Sequence, residues 1–480
     1  MNYKSIIKTL AIIFLIVSLF FSSELLIGYI YDEEIKKLFY YITALFLSNS
    51  FILLLLRKHK INLKVKESIL TVNFLWILLG IFGGIPLYLY TNISFASAFF
   101  EAVSGFTTTG ATIYKDIESL PHLILFHRSL MHWLGGMGVI VLSIGLLSMI
   151  NPTGGLSLFK AESTGIGIDK ITPKIKDTAK SLWIVYLVLT LLDMLLLFMF
   201  GMNWFDAINH AFSTISTGGF STKNASLGYW SNDGIIWTTT IFMMLSGVNF
   251  LAHIKLFHQD SSGYKSEEVK WYFLIFFILS ISLSYYHYQV AQDSVFHSIK
   301  HSFFTIASVM TTTGFATVDY GLWSHGSIAL IFLAMFIGGN AGSTAGGVKV
   351  IRYVIIFKTV FSELKKILHP SSLISVFIDG SKVAQRILSL VFVFFFLYLS
   401  TVIAVTIYIY LQGYDTMTAI SGALAMVGNI GPGFAKVDPA SNFSFFSDTD
   451  KVVLAISMII GRLECFTVFV LFSKEFWKKF

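Results

Sequence analysis

The sequence predicts an all-α polytopic membrane fold. An N-terminal two-helix hairpin is followed by four pseudo-repeated units of helix, re-entrant loop and helix around a single central axis. Three observations predict it: a composition too apolar for water, a succession of membrane-length apolar stretches, and one Thr/Gly-rich turn plan that occurs four times. The composition comes first. Of 480 residues, 55% are hydrophobic and 13% charged, about half the roughly 25% charge of soluble domains. Such a surface needs lipid to cover it.

A helix needs about 20 apolar residues to cross roughly 30 Å of hydrocarbon. Stretches of that kind are expected at 8–30, 38–56, 68–90, 122–150, 181–200, 232–254, 271–290, 322–337, 387–411 and 451–473. The first follows Met1-Asn2-Tyr3-Lys4. It is too long for a signal-peptide core and lacks a small-residue cleavage site, so it reads as a retained anchor. Ten spans put both termini on one side, and basic residues are retained in cytoplasmic loops. With the termini inside, inner segments hold 25 of the 34 Lys and Arg, outer segments hold 8, and Arg462 lies within the last span. Both termini are therefore expected in the cytoplasm. The net charge of +7 reflects basic loops against an anionic leaflet, and no nucleic-acid partner is inferred.

Four segments share one plan, which is the kind of internal repeat that decides a fold. The turns are Thr107-Thr108-Thr109-Gly110-Ala111, Ser216-Thr217-Gly218-Gly219-Phe220, Thr311-Thr312-Thr313-Gly314-Phe315 and Gly428-Asn429-Ile430-Gly431-Pro432. Each follows a segment too short to span, at 94–106, 204–215, 297–310 and 415–427. A half-helix that enters and returns as extended chain fits those lengths. Non-helical backbone at membrane depth is tolerated only where protein buries it or it lines a water-filled path. Four such turns imply a single central pore. The repeat divides the chain into a hairpin at 1–60 and units at 61–160, 161–260, 261–370 and 371–480.

One Thr-Thr-Gly triplet is an ordinary turn; four in register between apolar spans are a signal. A dehydrated cation needs oxygen ligands in place of its water, and rings of backbone carbonyls supply them without net charge. Glycine permits positive φ and close approach, and a threonine hydroxyl can brace the neighbouring backbone. The four turns lack acidic residues, which favours carbonyl over carboxylate ligands. A polytopic membrane enzyme is the alternative from another class. It should show a nucleophile with its base, or grouped carboxylates, whereas HExxH, GxSxG and Asp-rich motifs are absent. The chain carries no Walker-type loop or Rossmann fingerprint, so no cofactor is expected in it. A lone Cys465 leaves no disulfide framework and no Cys-rich metal site.

Two further features interrupt the apolar pattern. The run Gly338-Gly339-Asn340-Ala341-Gly342-Ser343-Thr344-Ala345-Gly346-Gly347 disfavours helix, since each glycine costs about 1 kcal/mol relative to alanine. Either the span breaks there, or small residues mediate close helix packing. Arg462 carries a charge that costs at least ~2.5 kcal/mol at membrane centre. It should face an interior path or an inter-helix ion partner, and Glu464 is too close in sequence to share its helical face. For Asp193, a hydrogen bond to a neighbouring helix is favoured over an ion site. His132, His210 and His253 read as interfacial residues.

The motifs TTTGAT (107–112), STGGFS (216–221), TTTGFAT (311–317) and GNIGPG (428–433), with HWLGGMG (132–138), GVNF (247–250), GGNAGSTAGGVKVIR (338–352) and GRLE (461–464), resemble the Trk/Ktr/HKT superfamily of cation transporters. The bacterial TrkH/TrkG branch is the nearest in kind, and the resemblance runs over the whole chain. It implies potassium uptake across a bacterial cytoplasmic (inner) membrane, with K⁺ as the transported ion. The selectivity filter would be Thr107–Gly110, Ser216–Gly219, Thr311–Gly314 and Gly428–Gly431. K⁺ would sit at the carbonyls of Thr108, Thr109, Thr217, Gly218, Thr312, Thr313, Asn429 and Ile430. Some plant relatives carry serine at the first filter glycine and prefer Na⁺; glycine at all four positions here favours K⁺. The resemblance also implies an intramembrane gating loop at Gly338–Gly347 and an Arg462 that projects into the pore below the filter. It further implies a homodimer docked on a cytosolic ring of TrkA-like nucleotide-binding subunits, for which the basic segments 160–180 and 349–386 are candidate surfaces. A Na⁺-conducting or K⁺/Na⁺(H⁺)-coupled transporter of the same fold is the alternative within the class. The residues do not decide between a channel and a symport mechanism.

Overall fold

The computed structural model describes residues 1–150, 175–291, 294–370 and 375–478 of the chain. Two helices, α1 (Tyr3–Ile30) and α2 (Lys36–Leu55), form the expected hairpin. Asn2 caps α1 by accepting from Ser5 N at 3.2 Å. The outer face of α2 exposes Tyr40, Leu47, Phe51, Leu54 and Leu55, the pattern of a helix in contact with lipid.

The remaining helices are taken in four consecutive groups. The first group is α3 (Val65–Thr91), the short α4 (Phe95–Phe106) and α5 (His122–Ile150). The second is α6 (Ile175–Met199), the short α7 (Trp204–Ile215), α8 (Asp233–Ser246) and α9 (Phe250–Phe257). The third is α10 (Glu267–Ala291), α11 (Val295–Met310), α12 (His325–Met335) and α13 (Val350–Leu368). The fourth is α14 (Gln385–Leu411), α15 (Thr416–Gly428), α16 (Asp448–Arg462) and α17 (Phe466–Phe469), with α18 (Lys474–Trp477) after it. A two-stranded hairpin, β1 (Phe377–Ile378) and β2 (Ser381–Lys382), turns through Asp379 and Gly380, both at positive φ. The chain is thus an all-α multi-pass membrane fold. Among the described residues, α1, α2, α3, α6, α10 and α14 are long and apolar enough to cross a membrane.

Three expected spans are not single helices. The stretch 232–254 breaks between α8 and α9, which meet at 98°. Asn249 restarts the helix there by accepting from Leu251 N at 2.9 Å. The stretch 451–473 breaks after Arg462, where Glu464 and Cys465 take φ of 54° and 61° and the chain bends by 108°. The stretch 322–337 shortens to α12 and runs into the glycine-rich segment before α13 begins. The basic segment 160–180 falls largely outside the described residues, at 160–174.

The hairpin is joined to the rest of the molecule by polar as well as apolar contacts. Glu24 of α1 and His127 of α5 are both fully buried. Glu24 Oε1 lies 2.8 Å from His127 Nδ1, and His127 Nε2 donates to the Gly83 carbonyl of α3 at 2.9 Å.

Close backbone approach fixes the inner helices. A Cβ on Gly135 of α5 would lie 1.9 Å from the Phe106 carbonyl, and one on Gly461 of α16 would lie 1.9 Å from the Val427 carbonyl. In both groups the closing helix therefore rests on the end of its own short helix. Overpacking such a contact costs about 1–3 kcal/mol. Gly461→Ala is expected to lose stability of that order in detergent unfolding, whereas Gly138→Ala, where a Cβ meets nothing within 4 Å, leaves it unchanged.

Candidate functional site

The four short helices begin alike. Ser94, Asn203, Ser294 and Asp415 each cap their helix by accepting from the backbone N of the third residue on, namely Ser97, Asp206, His297 and Thr418. A side-chain oxygen there satisfies an otherwise orphaned donor. All four helices then end at the Gly turns, so their partial negative ends converge on one region.

The turns are built alike too. In each, the second residue lies in the left-handed region: Thr108 (φ 53°), Thr217 (55°), Thr312 (56°) and Asn429 (55°). The third residue donates back to a helix carbonyl: Thr109 N to Ser104 O (2.9 Å), Gly218 N to Ser213 O (2.7 Å), Thr313 N to Ser308 O (2.8 Å) and Ile430 N to Ala425 O (2.8 Å). This is the Schellman ending of a helix, with threonine or asparagine where glycine is usual. Two residues on, Gly110, Gly219, Gly314 and Gly431 also take positive φ, between 82° and 97°.

The glycines show how the turns are arranged. A Cβ on Gly110 would lie 2.2 Å from Gly218 O, on Gly219 1.9 Å from Thr313 O, on Gly314 2.4 Å from Ile430 O, and on Gly431 2.5 Å from Thr109 O. Each turn therefore abuts the next in the order one, two, three, four and back to one. The turns close a ring. The residues Thr107–Thr109, Ser216, Thr217 and Thr311–Thr313 are buried in it. Thr107 and Thr311 hydroxyls bond Thr109 and Thr313 hydroxyls at 2.8 and 2.7 Å. Asn429 Nδ2 donates to Thr109 Oγ1 and to the Met458 carbonyl, both at 3.0 Å. A cavity of about 110 Å³ opens against Gly110, Gly219, Gly314 and Pro432.

The segment Gly338–Gly347 packs against the other side of the ring and is not helical. Gly346 N donates to Thr312 Oγ1 at 2.6 Å, and a Cβ on Gly346 would lie 2.6 Å from Gly428 O. Thr344 Oγ1 donates to the Ile215 carbonyl at 3.0 Å. Asn340 N reaches Gly247 O at 2.8 Å, and Ala341 N reaches the Glu268 carboxylate at 2.7 Å. Gly338, Gly339 and Gly342 complete the segment's backbone bonds to Val348, Val350 and Phe250. Ser343 folds back on Asn340, and Lys349 caps the Ala345 and Gly347 end by donating to the Ala345 carbonyl. The side-chain amide of Asn340 is buried without a hydrogen-bond partner in the protein.

Arg462 is the last residue of α16 and not the middle of a span. Its Nη1 donates to the Thr344 carbonyl at 3.0 Å, while Nε and Nη2 have no protein partner. Among the described residues it forms no ion pair. The nearby acidic group, Glu464, pairs with Arg352 of α13, whose guanidinium lies 3.8 Å from the Phe394 ring centre.

Several residues stand elsewhere than the sequence suggested. His132, His210 and His253 are buried and not interfacial: His132 stacks on Phe220 at 4.0 Å, His210 bonds Ser221 Oγ at 2.9 Å, and His253 bonds the Tyr264 hydroxyl at 2.8 Å. Asp193 is fully buried on α6; Thr214 of α7 is a polar group beside it, and neither carboxyl oxygen completes a hydrogen bond. Arg128, one of the eight Lys and Arg assigned above to outer segments, is 1% exposed within α5 and pairs with Glu101. Beyond the membrane, the Asn224 amide donates to Asp116 at 2.9 Å and holds that carboxyl below the usual range.

This is the architecture of a membrane protein built around one polar axis. The chain belongs to the TrkH family of cation transport proteins, whose profile matches residues 34–479. It is 38% identical over 431 residues to the Trk system potassium uptake protein TrkH of Escherichia coli K12, covering 88% of each chain. It is 36% identical to the TrkG protein of the same organism, over 88% of this chain and 87% of that one. The crystal structure of the potassium transporter TrkH from Vibrio parahaemolyticus superposes over 100% of both chains, with TM-score 0.89 and 33% identity. Family membership sets the enzyme alternative aside.

The Gly346–Thr312 bond makes one prediction. Thr312→Val leaves a buried N–H without an acceptor, at about 1–3 kcal/mol, whereas Thr312→Ser keeps the hydroxyl. Thermal unfolding in detergent should place the valine variant clearly below the serine variant.

Proposed function

We propose that the protein takes up potassium across a cytoplasmic membrane through the ring of four turns. The observation that carries this is the closed cycle of glycine-to-carbonyl approaches, in which each turn presents its third-residue carbonyl against the preceding turn's glycine. Carbonyls fixed around one axis replace the water of a cation. The convergent helix ends add negative potential, and no carboxylate stands in the turns. The relatives named as potassium uptake proteins support K⁺ as the ion.

The same reading makes Gly338–Gly347 the gate. It lies against the ring at Thr312 and Gly428, and it touches Arg462. Two guanidinium nitrogens without partners make Arg462 a barrier to a cation, lowered when the segment moves. The gate runs directly into α13, whose far end carries the exposed Lys365 and the half-buried Lys366. We assign that end as the docking surface for a cytosolic nucleotide-binding ring, with the transporter acting as a homodimer whose termini face the cytoplasm. Charge reversal at Lys365 and Lys366 should weaken ring binding at least tenfold in a pull-down titration, about 1.4 kcal/mol; unchanged binding removes this assignment.

The ion itself is tested by ⁸⁶Rb⁺ flux into proteoliposomes with K⁺ and Na⁺ as competitors. Strong competition by K⁺ alone is expected, lost in Gly314→Ser because the added side chain meets the Ile430 carbonyl. Equal competition by Na⁺ in the wild type would replace the potassium reading with a Na⁺-conducting or coupled one.

A further inference from the structure

We infer that the buried Arg128–Glu101 pair is a positioning device that sets ion discrimination by holding the first and second turns at a fixed separation. The inference rests on the reading of the ring as an ion filter. Arg128 of α5 is 1% exposed and Glu101 of α4 is fully buried. Arg128 Nε donates to Glu101 Oε1 at 2.9 Å, Nη1 to the Ser221 carbonyl at 3.2 Å and Nη2 to Thr112 Oγ1 at 3.2 Å. Glu101 in turn accepts from Thr112 Oγ1 at 3.0 Å and from Ile113 N at 2.8 Å. Thr112 and Ser221 each stand two residues beyond a turn glycine, Gly110 and Gly219. One guanidinium therefore clamps the chains leaving two neighbouring turns, and it also lies 4.0 Å from the Phe220 ring centre.

Each guanidinium nitrogen of Arg128 and both oxygens of Glu101 have a partner, whereas two nitrogens of Arg462 do not. A charge so satisfied acts on geometry and is compensated toward a passing cation. A planar fork that binds three acceptors fixes their spacing in a way an ammonium does not. The corresponding position of the other short helices, nine residues before each turn glycine, is His210, Thr305 and Gly422. His210 braces its own exit chain at Ser221 Oγ, and in the fourth group Ser421 accepts from Phe434 N at 2.9 Å. The first two turns differ in being joined to each other by a buried charge pair. A second tie beyond it, Ile117 N to Asn224 Oδ1 at 2.7 Å, links the same two exit chains. Neither Arg128 nor Glu101 lies in the turns themselves.

The test separates geometry from charge. Arg128→Lys keeps the positive charge but loses the fork, and Thr112→Ala removes one acceptor while leaving the ion pair. Both are reconstituted as the full chain, checked for monodispersity and melting temperature, and assayed for ⁸⁶Rb⁺ uptake against K⁺ and Na⁺. We expect the ratio of Na⁺ to K⁺ inhibition constants to fall about tenfold in Arg128→Lys and by less in Thr112→Ala, with measurable uptake kept. Glu101→Gln leaves the guanidinium uncompensated and should slow uptake at any ratio. If both milder variants fold, conduct and discriminate as the wild type does, the pair is a structural strut only and the inference falls. If the wild type itself fails to discriminate, the filter reading fails instead, which is a separate result. If Arg128→Lys does not fold, the ratio in Thr112→Ala decides alone: unchanged, it overturns the inference.

Discussion

Backbone that leaves a helix inside hydrocarbon must have its amides and carbonyls satisfied by protein, and this constraint organises the molecule. Each short helix stops among the longer helices, and its terminal carbonyls are met by amides of its own turn. The carbonyls of the third turn residues are left to face the preceding turn's glycine. The longer helices then have little freedom. Gly135 and Gly461 bring α5 and α16 onto the ends of α4 and α15, and Asn429 ties the fourth turn to both Thr109 and Met458. The glycine-rich segment satisfies its own broken backbone against Thr312, Gly247 and Glu268.

The ring carries strain. Three threonines and an asparagine hold φ near 55°, a conformation that costs a non-glycine residue of order 1 kcal/mol or more. Glycine there would relieve the strain but would lose the side chains. In Thr312 and Asn429 those side chains are bonds to the glycine-rich segment and to the first turn. The site thus trades local comfort for hydroxyl and amide contacts that fix its neighbours. The same logic separates the two buried arginines: Arg128 is fully partnered, while Arg462 keeps two nitrogens unmet.

Much of this was legible in the sequence, for identifiable reasons. Glycines at 110, 219, 314 and 431 stand out because they recur between apolar stretches, and close approach to a carbonyl is a demand only glycine meets. The left-handed residues before them were not legible, since threonine gives no sign of positive φ. The break after Ser246 left a signal that went unread: Gly-Val-Asn inside an apolar run is a stop followed by a cap. The break after Arg462 left none, because Glu464 and Cys465 are unusual choices for that backbone. Arg128 was counted among the outer-segment charges although it lies within the expected span 122–150. Its partner, Glu101, lies 27 positions away, beyond the reach of local pattern.

The pair formed by Glu24 and His127 bears on how the chain is made. Synthesis runs from the N-terminus, so α1 is released to the membrane with its carboxyl while His127, 103 residues later, is still untranslated. An intramembrane acid without a partner is costly. Glu24 gains its imidazole partner, itself held by the Gly83 carbonyl, only once α3 and α5 are in place. The hairpin that is made first therefore takes its final seat against a helix of the first ring unit that is made later.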